Sequence, residues 1–141
     1  MSDRPTGIPA DFVPVVAPDR SFDALYGLQL DDDGSRDGVV RGRVAIRDQV
    51  RQQSGLLHGG VISALAEALA SRGTWLAVHD QGRVAMGLSN DTSFLRPLRQ
   101  GQVHVTAVAR HKGRTRWLWE VESRDDDGRL CAISTVNIAV R

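Results

Sequence analysis

Apolar residues follow one another almost without interruption between Gly59 and Val78. Only short polar gaps separate them. A helix at the surface of a domain carries a polar face, and this stretch has almost none. The pattern therefore predicts a long helix that is buried on all sides, with Glu67 as the one acidic residue between Asp48 and Asp80.

Other segments alternate apolar and polar residues, which is typical of strands with one buried face. One such segment runs from Gly38 to Ile46, and four more lie at about residues 83–95, 101–112, 115–125 and 129–140. Turn residues at Gly101, at Gly113 and at positions 125–128 separate the last three from their neighbours. Two or three strands, one long helix and four consecutive antiparallel strands predict an α+β fold, in which the sheet curls around the helix.

The chain of 141 residues, 41% of them hydrophobic, is long enough for one domain with its own core. We expect that domain at residues 21–141. Residues 1–20 hold four of the five prolines and predict a loosely packed arm, and residues 31–34 form an acidic turn.

Composition limits the classes of function. The net charge of +1 gives no indication of nucleic-acid binding. The single cysteine, Cys131, has no partner for a disulfide, and neither it nor the histidines show the spacing of metal ligands. No signal peptide is evident, and no apolar run reaches the length that spans a bilayer, so we expect a soluble cytoplasmic protein without a metal or cofactor.

Glu67 is the first candidate for chemistry. A carboxylate in an apolar setting costs several kcal/mol unless it is paired, and such groups often have a function. There are two alternative interpretations. Glu67 forms a structural ion pair, for instance with Arg72, or its helix face is exposed to water.

The turn before the helix, Leu57-His58-Gly59-Gly60, is the second candidate. Amide groups at a helix N-terminus lack acceptors within the helix and stabilise negative charge. Those near Gly59 and Gly60 are suited to a polarised carbonyl or an oxyanion. An ordinary strand-to-helix turn that needs glycine is the alternative.

Gly59 and Glu67 are eight residues apart, about 12 Å along a helix. That distance is too great for both to contact one carbonyl group. If two such helices pack antiparallel across a two-fold axis, the glycine of one chain faces the glutamate of the other. The spacing thus predicts an obligate homodimer with composite sites.

Several runs of residues resemble those of a known family. The runs Arg51-Gln52, Gly55 to Gly60 and Ala64-Leu65-Ala66-Glu67 are similar to those of the hotdog-fold acyl-CoA thioesterases. The likeness extends over roughly residues 38–140 and is greatest to the branch typified by the Arthrobacter-type 4-hydroxybenzoyl-CoA thioesterase. It implies a hotdog fold, a homotetramer, and coenzyme A as part of the substrate.

The resemblance also implies roles for particular residues. Glu67 would act as nucleophile or general base, and the Gly59 amide would polarise the thioester carbonyl. Gln52 and Ser71 would assist around the thioester and the water, and His58 would border the same pocket. The expected substrate-binding residues are Gly60, Arg72, Asn90, Thr92 and Ser93.

The nucleotide of coenzyme A carries phosphates, which cations and hydroxyl groups bind. The turn around Gly113 is similar to the nucleotide-contacting turn of the family. The expected coenzyme A contacts are Lys112, Arg114, Thr115, Arg116 and Arg96. A solvated hairpin is the alternative interpretation of this turn.

One residue departs from the family. The 4-hydroxybenzoyl enzyme has an acidic residue where this chain has Arg72, and that residue contacts the substrate's ring hydroxyl. The expectation is therefore hydrolysis of an aromatic or otherwise compact acyl-CoA, such as a hydroxybenzoyl, phenylacetyl or dihydroxynaphthoyl thioester. A non-catalytic acyl-CoA-binding hotdog module is the main alternative, and a hotdog hydroxyacyl dehydratase is a further one.

Overall fold

The computed structural model describes residues 11–31 and 38–141. The helices are α1 (Phe22–Tyr26) and α2 (Gly59–Val78). The strands are β1 (Gln29–Leu30), β2 (Val39–Ala45), β3 (Ala85–Phe94), β4 (Gln102–Lys112), β5 (Arg116–Arg124) and β6 (Leu130–Val140). The first ten residues of the expected arm and most of the acidic turn lie outside the described residues.

All six strands form one antiparallel sheet in the order β1-β2-β4-β5-β6-β3. The α+β class and the strand segments expected from the alternation are confirmed. The four later strands do not form a simple run of neighbours, because β3 pairs with β6 and β4 pairs with β2. As a result β3 lies at one edge of the sheet, directly after the helix in sequence.

The long helix packs one face on the sheet. Its buried residues recur every three or four positions and are Ile62, Leu65, Ala66, Leu69, Ala70, Gly73, Thr74 and Val78. The expectation of a helix buried on all sides is wrong for the single chain, since Glu67 is exposed on another face. Packing among residues 11–31 and 38–141 does not explain the apolar character of that face.

Helix and sheet approach each other closely at Gly73. A Cβ atom there would lie 2.4 Å from Cη2 of Trp119, a residue at the centre of β5 that is fully buried. The Trp119 indole N–H donates to the Thr74 hydroxyl at 2.8 Å, and that hydroxyl donates to the Ala70 carbonyl at 2.9 Å. These contacts fix the C-terminal half of α2 on the middle of the sheet.

By length and composition alone, the helical stretch Gly59–Gln81 also meets the criteria for a membrane-spanning helix. This is contrary to the expectation that no apolar run reaches that length. In the fold the stretch includes the core helix, and its buried face is covered by the sheet.

Candidate active site

At the N-terminus of α2, the amides of Gly59 and Gly60 differ in their hydrogen bonds. His58 caps the helix, and its Nδ1 accepts a hydrogen bond of 2.8 Å from the Gly60 amide. The Gly59 amide has no acceptor among the described residues. Because Nδ1 accepts, the proton of a neutral His58 ring lies on Nε2. Of the two amides expected to bind an oxyanion, only that of Gly59 is available.

Gly59 borders a cavity of about 390 Å³. Its other lining residues include Gln52, Ile62, Phe94 and Arg96. The ring of Phe94 packs on the glycine so closely that a Cβ atom at residue 59 would lie 2.9 Å from Cζ. The structure thus brings together Gln52 and Gly59, as expected, next to a mainly apolar wall.

A second cavity of about 310 Å³ lies on the other side of the helix start, between α1 and His58. It is bordered by Gly60, Val61, Phe22, Leu25 and Tyr26 among others. Burial raises the pKa of Tyr26, whose hydroxyl donates to Asp23 at 2.6 Å. His58 and Gly60 therefore border this cavity and not the one that contains Gln52.

Glu67 lies two turns further along α2 and does not line either cavity. Its carboxylate packs against the backbone of Gly87 in β3. It has no hydrogen bond or ion pair with another described residue, so the suggested pair with Arg72 is not formed. In one chain Gly59 and Glu67 belong to separate sites.

Ser71 follows Glu67 by one turn and is partly buried. Among the described contacts its hydroxyl makes no hydrogen bond to the Glu67 carboxylate. Arg72, the next residue, is partly buried as well. Ser71 therefore shares the helix face of Glu67, whereas Arg72 lies about 140° around the helix from it.

The three candidate residues of β3 have different surroundings. The Asn90 amide donates to the Ser63 carbonyl at 2.8 Å, and the Thr92 hydroxyl donates to the Asn90 side chain at 2.9 Å. These two side chains link the strand to α2. Ser93 is exposed and alternates with Thr92, so it lies on the outward face of the sheet.

The expected coenzyme A contacts fall into two groups. Arg114, Thr115 and Arg116 form the β4–β5 turn, which is held beside the start of β3 by the hydrogen bond from Arg83 to the Arg114 carbonyl. Lys112 lies over the ring of Trp117, 5.5 Å from its centroid. Arg96 follows the end of β3. The ten residues of β3 separate the two groups by about 30 Å.

Sequence reasoning missed two residues at these sites, Gly87 and Phe94. A glycine inside an alternating strand can mark a close approach of another group, and this signal was present at Gly87. Phe94 gave no signal, because an apolar residue at a strand end is ordinary. No cluster of three or more possible metal ligands occurs in the described part of the chain.

Comparison with known proteins defines the class. The family model of the thioesterase superfamily matches residues 54–132. The protein MT1895 of Mycobacterium tuberculosis is 37% identical over 119 residues, which cover 83% of this chain and 84% of the relative. The proofreading thioesterase EntH of Cronobacter turicensis is 35% identical over 104 residues, or 74% of this chain and 75% of the relative.

Solved structures indicate the same class of protein. A mutant of thioesterase PA1618 from Pseudomonas aeruginosa is 32% identical and has a TM-score of 0.80, with 85% of each chain covered. Thioesterase HI1161 from Haemophilus influenzae is 27% identical with a TM-score of 0.78, covering 84% of this chain and 81% of that one.

The fold is the hotdog fold, and the protein is a thioester hydrolase. The chain belongs to the thioesterase superfamily. The likeness inferred from the sequence is thereby confirmed at this level, and the particular branch stays a prediction.

Proposed function

We propose that the protein hydrolyses an acyl-CoA thioester with an aromatic or otherwise compact acyl group, releasing the free acid and coenzyme A. The observation that carries the proposal is the free Gly59 amide at the edge of a mainly apolar cavity that also contains Gln52. A carbonyl oxygen placed there accepts the amide hydrogen and gains the positive end of the helix dipole. If Arg72 reaches the acyl group, its guanidinium pairs with a carboxylate or a phenolate of the substrate.

The carboxylate for this reaction comes from a second subunit in our proposal. Five apolar residues on and beside the edge strand are between 50% and 57% exposed: Val84, Met86, Leu88, Phe94 and Leu95. An exposed edge strand with an apolar patch is suited to pairing with another strand. The partner we propose is a second copy, paired antiparallel through β3.

Such pairing also explains the separation of the site residues. Phe94 packs on Gly59, and Gly87 packs on Glu67. A register that places Gly87 opposite Phe94 of the partner subunit brings Glu67 next to Gly59 of the partner subunit. The same two-fold operation brings the β4–β5 turn to the cavity that Arg96 borders, so both groups of cations meet one coenzyme A.

In the composite site, the Gly59 amide polarises the carbonyl and Glu67 attacks it directly or activates a water molecule. Gln52 and Ser71 assist from the two subunits. In this proposal Asn90 and Thr92 contribute from β3 through the network that links the strand to α2, whereas Ser93 lies on the outward face of the sheet. We further propose that two dimers form a tetramer in the cytoplasm, and that the reaction needs no metal or cofactor beyond the coenzyme A of the substrate.

A panel of thioesters tests the proposed function. The purified protein is assayed by thiol release on benzoyl, hydroxybenzoyl, phenylacetyl, naphthoyl and short acyl-CoA. We expect turnover on at least one aromatic or compact thioester. We also expect Glu67→Ala to lower kcat by about 100-fold or more, while the variant remains folded and still binds acyl-CoA.

The outcomes separate the alternatives. Binding of these thioesters without turnover would indicate the non-catalytic module, and an enoyl product from a hydroxyacyl-CoA would indicate the dehydratase. Activity close to that of the unmodified protein in Glu67→Ala would exclude the mechanism.

A further inference from the structure

The backbone of β3 lies directly against the Glu67 carboxylate at Gly87. A Cβ atom at residue 87 would be 2.8 Å from Oε1, 3.3 Å from Cδ and 3.8 Å from Cγ of Glu67. The first distance is shorter than real contacts of a Cβ atom allow. Any side chain at this position must therefore move the carboxylate.

The conformation of the backbone does not account for this glycine. The described glycines with positive φ are Gly27, Gly38, Gly55, Gly82, Gly101 and Gly128, and Gly87 is not among them. The conformation of residue 87 is thus one that alanine can adopt without strain. What glycine supplies here is space.

The strand cannot easily retreat to make that space. The pairing of β3 with β6 is irregular between Gly87 and Ser89, so that both Gly87 and Asn90 face α2. The hydrogen bond from Asn90 to the Ser63 carbonyl then ties the strand to the helix one turn before Glu67. This hydrogen bond holds β3 against α2 beside the Glu67 carboxylate.

We propose that Gly87 is a positioning residue for thioester hydrolysis, which allows the Glu67 carboxylate to lie flat against the edge strand where a thioester carbonyl can reach it. This inference rests on the proposed function. Glu67 is exposed and has no hydrogen bond within the described chain, so its contact with Gly87 is the restraint that the described residues place on its oxygens. A shift of 1 Å in a reacting group can cost about 100-fold in rate.

A double-mutant cycle tests the inference. Glu67→Asp withdraws the carboxylate from residue 87 by one methylene group, which leaves room for a methyl group there. We expect Gly87→Ala to lower kcat by about 100-fold with KM nearly unchanged, because the substitution leaves the contacts of Gln52, Gly59 and the cations within their own chain unchanged. In the Glu67→Asp variant, Gly87→Ala should lower kcat only slightly. The difference between the two losses of kcat would show that residues 67 and 87 are strongly coupled.

Folding is monitored in the same series. Glu67→Ala/Gly87→Ala removes the clash altogether, so this variant should match Glu67→Ala in both stability and residual activity. An equal loss of kcat from Gly87→Ala in the unmodified protein and in the Glu67→Asp variant, or a loss that occurs mainly in KM, would overturn the positioning role while the proposed function stands. Absence of turnover by the unmodified protein would overturn both.

Discussion

Cys131 lies at the start of β6, fully buried, and its thiol donates to the Arg129 carbonyl at 3.3 Å. Burial raises the pKa of this thiol. The thiolate is the reactive form of cysteine, and a raised pKa keeps its population low at neutral pH. Cys131 is thus a buried core side chain whose thiol has low reactivity.

We predict that Cys131 does not react with a disulfide reagent in the native protein. At pH 7 to 8, one equivalent of thiol should be titrated rapidly in denaturant and only slowly, through unfolding, without it. Rapid labelling of the native protein would show that β6 opens locally. A slow reaction has a practical consequence, because thiol release from acyl-CoA is then measured without background from the enzyme.

Among the elements, α2 and β5 approach each other closely at Gly73 and Trp119. Gly73 leaves no room for a side chain, since a Cβ atom would also lie 2.9 Å from Cγ2 of Val40. Trp119 cannot turn away without breaking its hydrogen bond to Thr74. The close packing of Gly73 against Trp119 and Val40 therefore contributes to the free energy of unfolding.

We predict that Gly73→Ala destabilises the protein. Overpacking a rigid core costs about 1–3 kcal/mol, which exceeds the gain of about 1 kcal/mol that alanine offers over glycine in a helix. The midpoint of urea unfolding should fall. Ala77→Gly, at an exposed position of the same helix, measures the helix-propensity contribution. A higher midpoint for Gly73→Ala would show that the helix can shift away from Trp119.

Periodicity was sufficient to predict these elements but not how they are arranged. The helix was expected at Gly59 to Val78, which are its observed bounds. The strand at about 83–95 was observed as Ala85–Phe94. Alternation identifies the residues that face the core, whereas it contains no information on which strands are neighbours. The placement of β3 at the edge beside β6 was therefore not predicted.

The same limit applies to the site. The sequence pointed to Gly59 and Glu67 because a glycine turn and a lone carboxylate are local features. It did not reveal that His58 occupies the Gly60 amide, which depends on a side-chain rotamer. Nor did it reveal that Glu67 is exposed in one chain, because an apolar helix face looks the same whether the sheet or a second subunit covers it.

At the scale of the whole molecule, the proposed dimer divides each site between two chains. Gln52 and Gly59 come from one subunit, and Glu67 comes from the other. Complementation between inactive variants can detect such a division. Gln52 and Glu67 are suitable positions, because both side chains are exposed in the single chain and their loss should not disturb the core.

We predict that Gln52→Ala and Glu67→Ala, each weakly active alone, regain activity when the two chains are unfolded together and refolded. Each heterodimer has one site with both residues intact, and half of the dimers in a random mixture are heterodimers. The mixture should therefore reach about a quarter of the activity of the unmodified protein.

The matched control places both changes in one chain. When Gln52→Ala/Glu67→Ala is refolded with an equal amount of unmodified chain, every heterodimer has one defect in each site. Activity should then fall to about a quarter of that of the unmodified protein alone. If each chain held its own complete site, the first mixture would show no gain and the second would retain about half. The two mixtures have the same overall composition of mutations, so only the division of the site between subunits makes their activities equal.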